Sequence, residues 1–163
     1  MSKINLEQIN KPIYKVINVI TIIIMLAIII YLIIKWNEIP NQIPKHYNAL
    51  GKPDAWAGRG SILILPILGV ILYTAITVLE QFPTIWNTGV EVTEKNQYRV
   101  LTALKGLIVM TKFSVIIGFS YITFCEIKSE NLGSWFLLAF LSLIFVPIFY
   151  YLRKIYQIPE SEI

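Results

Sequence analysis

Apolar residues fall along this chain in four long blocks separated by shorter polar stretches. From Val16 to Ile34 only Asn18, Thr21 and Tyr31 interrupt the run. As a helix, these 19 residues rise about 28 Å, close to the ~30 Å hydrocarbon thickness of a bilayer. Three further blocks, 61–79, 106–125 and 132–152, are also long enough to cross. The pattern predicts an all-α integral membrane protein: a four-helix bundle forming one domain over residues 1–152, followed by a short polar tail at 153–163. The first block exceeds the h-region of a signal peptide. The segment directly after it, Lys35-Trp36-Asn37-Glu38-Ile39-Pro40, lacks a small-residue cleavage pattern, so an uncleaved anchor is expected. Pro66 and Pro147 lie near span ends, where a missing helical hydrogen bond costs least.

The polar stretches differ in kind. Between spans one and two, Pro40 and Pro44 forbid a regular helix. Gly51 accepts positive φ, and Pro53 followed by Asp54 presets a turn, so 36–60 reads as a compact, turn-rich loop. Between spans two and three, 81–92 is irregular. In 93–105 and just beyond, Val100, Leu101, Leu104, Leu107 and Ile108 recur at helical spacing, which predicts an interfacial helix before span three.

Composition agrees with a lipid environment. Apolar residues make up 56% of 163, against roughly 45–50% for an average soluble domain, and no small core encloses such unbroken runs. The formal charge of +4 is spread beside the blocks and forms no tract that would follow a phosphate backbone, so nucleic acid is not an implied partner. Lys3, Lys11, Lys15, Lys95, Arg99, Lys105, Arg153 and Lys154 lie on the side of the termini; Lys35, Lys45, Lys52, Arg59 and Lys128 lie on the other. Eight cations against five predict both termini on the cytoplasmic side and the 36–60 loop outside.

Candidate chemistry is sparse. One cysteine, Cys125, and one histidine, His46, exclude an intrachain disulfide and a Cys/His zinc site. His46 and Asp54 approach each other if the loop folds back, and a carboxylate there would orient the imidazole for a ligand contact or a pH-responsive latch; turn hydrogen bonding by these side chains is the plainer reading. Glu38, His46 and Asp54 are a conceivable metal set, though their spacing matches no specific rule. Trp36, Tyr47 and Trp56 read as an interfacial aromatic belt. Lys112 is the full charge inside a span, with Glu80 as candidate partner. Because Lys112 sits about six residues, roughly 9 Å, from the inner surface, snorkelling of its stem explains it more simply. The chain has no Gly-x-Ser-x-Gly elbow and no His-Glu-x-x-His helix, so no catalytic residue, cofactor or metal is assigned. Spans lacking internal acids argue against a proton-coupled exporter.

Two segments carry a resemblance. The pattern Ile43-Pro44-x-His46-x-x-x-x-Gly51-x-x-Asp54-x-Trp56 directly after a first span, and the segment Thr93-Glu94-Lys95-Asn96-Gln97-Tyr98 before the third, resemble the bacterial membrane domain of the Sdp toxin-immunity family. That resemblance implies a multispan protein that protects its producer against a secreted peptide toxin and recruits a transcriptional repressor to the membrane. It marks Pro44, His46, Gly51, Asp54 and Trp56 as an outer, partner-facing set, and Thr93, Glu94, Asn96 and Tyr98 as an inner one. It implies no catalytic role.

Overall fold

A computed structural model describes residues 6–157; Lys3 and the end of the tail, 158–163, lie outside the described residues. The chain folds into a short helix α1 (Leu6–Ile9), α2 (Pro12–Lys35), a hairpin of β1 (Gln42–Tyr47) and β2 (Pro53–Gly58), then α3 (Ile64–Leu79), α4 (Gln97–Lys128) and α5 (Phe136–Tyr156). With the 3-10 turns that extend α2 and precede α3, four helical segments are long and apolar enough to cross a membrane: Pro12–Glu38, Arg59–Leu79, Gln97–Lys128 and Phe136–Tyr156. Their outward faces are crowded with large apolar side chains such as Ile23, Ile33, Ile64, Leu138 and Phe149, far more than water tolerates. The chain is a multispan membrane protein.

The bundle is organised around α4. Its buried positions include the unbroken run Val100–Gly106 and then Val109, Lys112, Ser114, Ile116 and Gly118, whereas α2, α3 and α5 bury few residues each. α4 packs against all three, and α2 also touches α3. Small residues permit the close approach between α4 and α5, as is usual where apolar burial cannot drive helix association. A Cβ at Gly118 would lie 2.1 Å from the Phe140 ring, and one at Gly106 would lie 2.4 Å from Tyr151. The Ser114 hydroxyl donates across to the Leu143 carbonyl at 2.7 Å.

Two expectations are corrected here. No separate interfacial helix precedes span three. Residues 97–105 are the opening turns of α4 itself, because Val100, Leu101 and Leu104 are sealed beneath Ile9 and Ile155 and nothing interrupts the helix at Lys105. At about 1.5 Å per residue, its 32 residues run roughly 48 Å, longer than the hydrocarbon. Nor is the protein all-α: the 36–60 loop contains a two-stranded antiparallel sheet. Pro44 stands inside β1 opposite Trp56, which is tolerated because in a two-stranded sheet every strand is an edge.

A lone hairpin is marginal in water; this one is fastened at both ends. At its base Ile39, Ile43 and Ile62 join Ile28, Leu32 and Ile127 in one buried cluster. Arg59 donates to the Trp36 carbonyl at 3.3 Å and lies over the Trp36 ring. At its tip the Asn48 side chain accepts from the Leu50 and Lys52 amides. Gly51, at φ +70°, presses on the loop between α4 and α5: its carbonyl accepts from the Leu132 amide at 2.8 Å, and a Cβ there would meet the Gly133 carbonyl oxygen at 2.5 Å.

Candidate functional site

The register of the hairpin slips around Lys45 and His46. Two consecutive side chains therefore leave the alternating pattern and are exposed together, the usual effect of a β-bulge. The slip sets His46 beside Asp54: Nδ1 and Oδ1 are 2.5 Å apart. The pairing, not the plainer turn bonding, is what the fold adopts for these two side chains, and it is exposed, at 68% and 42% of side-chain area. Glu38 does not join them; it pairs with Lys35 at 2.8 Å.

Beneath the hairpin lies a cavity of about 570 Å³, bounded by β1 and the hairpin tip, the start of α3, the end of α4 and the start of α5. Lys45 and His46 reach its wall, and Leu65, Ile122, Leu132 and Phe136 give it an apolar lining. Glu126, in the last turn of α4 and 6% exposed, faces into it. Among the described residues, Glu126 Oε2, Tyr47 OH and Ser61 Oγ are buried without a hydrogen-bond partner, and all three residues line this cavity. Buried polar atoms are almost always satisfied in native folds, and three such atoms border this one space. Burial pushes the Tyr47 phenol well above its ordinary range, with the Glu126 carboxylate adding to the shift; the hydroxyl is held neutral, a hydrogen-bond donor as well as an acceptor.

The outer set is thus placed unevenly. His46 and Gly51 line the cavity. Asp54 orients His46 from outside it, Pro44 is buried in the hairpin base, and Trp56 is half exposed on β2. Sequence reasoning misses Glu126 and passes over Tyr47 as an interfacial ring. Glu126 lies at the end of a span, where an acid reads as terminal and solvated, and only the folded-back hairpin covers it.

At the opposite end of the bundle, two of the four inner residues, Thr93 and Asn96, are paired with each other. The Thr93 amide donates to Asn96 Oδ1 at 2.9 Å, and the Asn96 amide donates to Thr93 Oγ1 at 3.3 Å. This reciprocal pairing is of the kind that starts helices, and Asn96 is buried at 1% exposure. Glu94 and Tyr98 are exposed. Lys112 does not snorkel. It is 1% exposed, 2.7 Å from Glu80 Oε1, donates to Thr77 Oγ1 at 3.1 Å and lies over the Tyr73 ring. Tyr73, Thr77 and Glu80 share one helical face of α3 and its cap, and that face meets Lys112 before its stem turns outward. Lys105 completes the cluster, donating to Glu80 Oε2 at 2.9 Å.

Residues 23–70, from mid-α2 through the hairpin into α3, match a domain of unknown function, DUF1648. No curated protein and no solved structure matches the chain.

Proposed function

We propose that the protein is a membrane receptor that binds a peptide in the cavity under the hairpin, on the extracytoplasmic side of a bacterial cytoplasmic membrane. The observation that carries this reading is the trio of unpartnered polar atoms, Glu126 Oε2, Tyr47 OH and Ser61 Oγ, around an otherwise apolar space. A peptide amino group satisfies Glu126, its backbone meets Tyr47 and Ser61, and an apolar side chain fills the wall formed by Leu65, Ile122 and Phe136. Lys45 and His46 at the rim suit an acidic group or a terminal carboxylate further along the ligand, with Asp54 fixing the ring. The resemblance of the hairpin to Sdp-type immunity proteins supplies a use for such binding, the interception of a secreted peptide toxin, with a transcriptional repressor as a partner on the opposite face.

The sidedness rests on charge. Lys11, Lys15, Lys95, Arg99, Lys105, Arg153 and Lys154 gather at the end of the bundle formed by the start of α2, the start of α4 and the end of α5, the distribution expected of a cytoplasmic face. In a Cys125→Ser background, an impermeant thiol reagent applied to intact cells is expected to label Lys52→Cys and spare Glu94→Cys. Labelling of both from outside would overturn the orientation.

Binding itself is tested with synthetic apolar decapeptides, free or acetylated at the N-terminus, and the full chain in nanodiscs. Free-amine peptides are expected to bind. Acetylation or Glu126→Gln should weaken binding roughly 30-fold or more, the effect of removing one partner of a buried charge pair. Equal affinity of acetylated and free peptides for the wild type and Glu126→Gln would overturn the assignment.

A further inference from the structure

A second cavity, of about 420 Å³, opens at the end of the bundle opposite the hairpin. The start of α2, the segment leading into α4, the first turns of α4 and the last turns of α5 all contribute to its wall. Four cations line it, Lys11, Lys95, Arg99 and Lys154, as many as the formal net charge of the whole chain, +4. Among the described residues no carboxylate lines it, and Lys11 and Lys95 form no ion pair. Lys154 lies over the Tyr150 ring, 4.6 Å from its centre, which holds the ammonium in place without neutralising it.

The site has a floor as well as a charged rim. Thr102 is 5% exposed, and its Oγ1 is buried with no hydrogen-bond partner among the described residues, on the same wall. Tyr14 is pinned beside it, donating to the Thr102 carbonyl at 3.2 Å. Like charges brought together from the α2 N-cap, the turn before α4 and the last turns of α5 repel one another unless an anion sits among them. Tyrosine rings around a basic recess at a span end are also suited to the headgroup level of a bilayer.

We infer that this cavity binds a phosphate oxyanion, held by Lys11, Lys95 and Lys154 with Thr102 Oγ1 as an additional donor. Basic pockets between membrane helices take anionic headgroups in this way. The volume exceeds what a bare phosphate fills and accommodates the glycerophosphate portion of a phospholipid. The inference stands independently of the peptide cavity, which lies at the other end of the helices.

Native mass spectrometry of the detergent-purified full chain tests it with three probes: phosphatidylglycerol, phosphatidylcholine and inorganic phosphate. Phosphatidylglycerol is expected to be retained over phosphatidylcholine, with the preference falling roughly fivefold for each of Lys11→Ala, Lys95→Ala and Lys154→Ala. Lysine-to-arginine variants should keep most of it. Inorganic phosphate binding that is lost in the same variants, without lipid preference, supports the site and assigns it to a soluble phosphate. Equal retention of the two lipids with no phosphate binding, or alanine variants that bind as the wild type does while melting at the same temperature, overturns it.

Discussion

Two glutamates sit near opposite ends of the helix bundle, each almost wholly buried, and they could hardly be treated more differently. Glu80, 3% exposed, is held between Lys105 and Lys112 at 2.9 and 2.7 Å. Glu126, 6% exposed, has an oxygen with no partner at all among the described residues. Taking a carboxylate out of water is expensive unless it is paired and hydrogen-bonded. Glu80 is ion-paired through both oxygens by residues of its own chain, Oε2 accepting a hydrogen bond from Lys105 and Oε1 in charge contact with Lys112 without a well-aligned hydrogen bond, and it thereby ties α3 to α4. Glu126 has no such ion pair among the described residues, and it lines a cavity. The contrast separates a carboxylate that joins helices from one that, on the proposed reading, awaits a ligand.

The comparison breaks most readily at Glu80. Glu80→Gln leaves two ammonium groups facing each other in a buried space, and loss of one partner from a buried ion cluster costs about 3–5 kcal/mol. A large drop in unfolding free energy in detergent is therefore expected. Lys112→Met should cost less, because Lys105 remains to compensate Glu80. An unfolding midpoint unchanged in Glu80→Gln would mean that the cluster does not fasten α3 to α4.

The next largest effect belongs to the hairpin tip. Gly51→Ala places a methyl 2.5 Å from the Gly133 carbonyl oxygen, a backbone atom that yields little, at a φ of +70° that alanine resists. Overpacking of this kind costs about 1–3 kcal/mol. The tip should then lift from the α4–α5 loop, so faster amide exchange at Leu132, whose N–H bonds to Gly51, is the specific sign. Protection at Leu132 equal to the wild type would show that the tip is not clamped there.

How far the sequence could be read depends on the range of the interactions. The spans are legible because a long run of apolar residues has one stable environment, and Glu80 can be named as partner of Lys112 because no other span carries an acid near its depth. Snorkelling is nonetheless the simpler expectation, since a side chain's reach is visible in a sequence and a neighbouring helix is not. The sheet is hidden by Pro44, a strong signal against strands that loses its force where both strands are edges. An interfacial helix is expected because polar residues at 93–99 hide the fact that Ile9 and Ile155, far away in the chain, cover the apolar stripe that comes after them. Thr93 and Asn96 stand out as a motif, but whether they face a partner or each other depends on local geometry. Glu126 becomes a candidate only once the hairpin lies over it.

Glu126→Gln carries the opposite sign to Glu80→Gln. The Glu126 Oε2 has no internal partner to lose, so the neutral amide should leave stability unchanged or raise it by about 1 kcal/mol, while lowering peptide affinity. Thermal unfolding of the two glutamine variants side by side is the direct check. A loss at Glu126 as large as the loss at Glu80 would place an internal partner on Glu126 and remove the reason for assigning its carboxylate to a ligand.

The smallest effect is expected at His46 and Asp54. Their contact is close, but more than a third of each side chain remains open to water, where solvent screening leaves an ion pair worth less than about 1 kcal/mol. A double-mutant cycle with His46→Ala and Asp54→Ala should therefore show weak coupling in unfolding experiments. The same cycle read through peptide binding should show stronger coupling, because Asp54 can matter to the cavity only through the ring it orients. Additive losses in binding, with no coupling between the two positions, would mean that Asp54 does not position His46, and would leave Lys45 as the rim residue on which recognition of an acidic group depends.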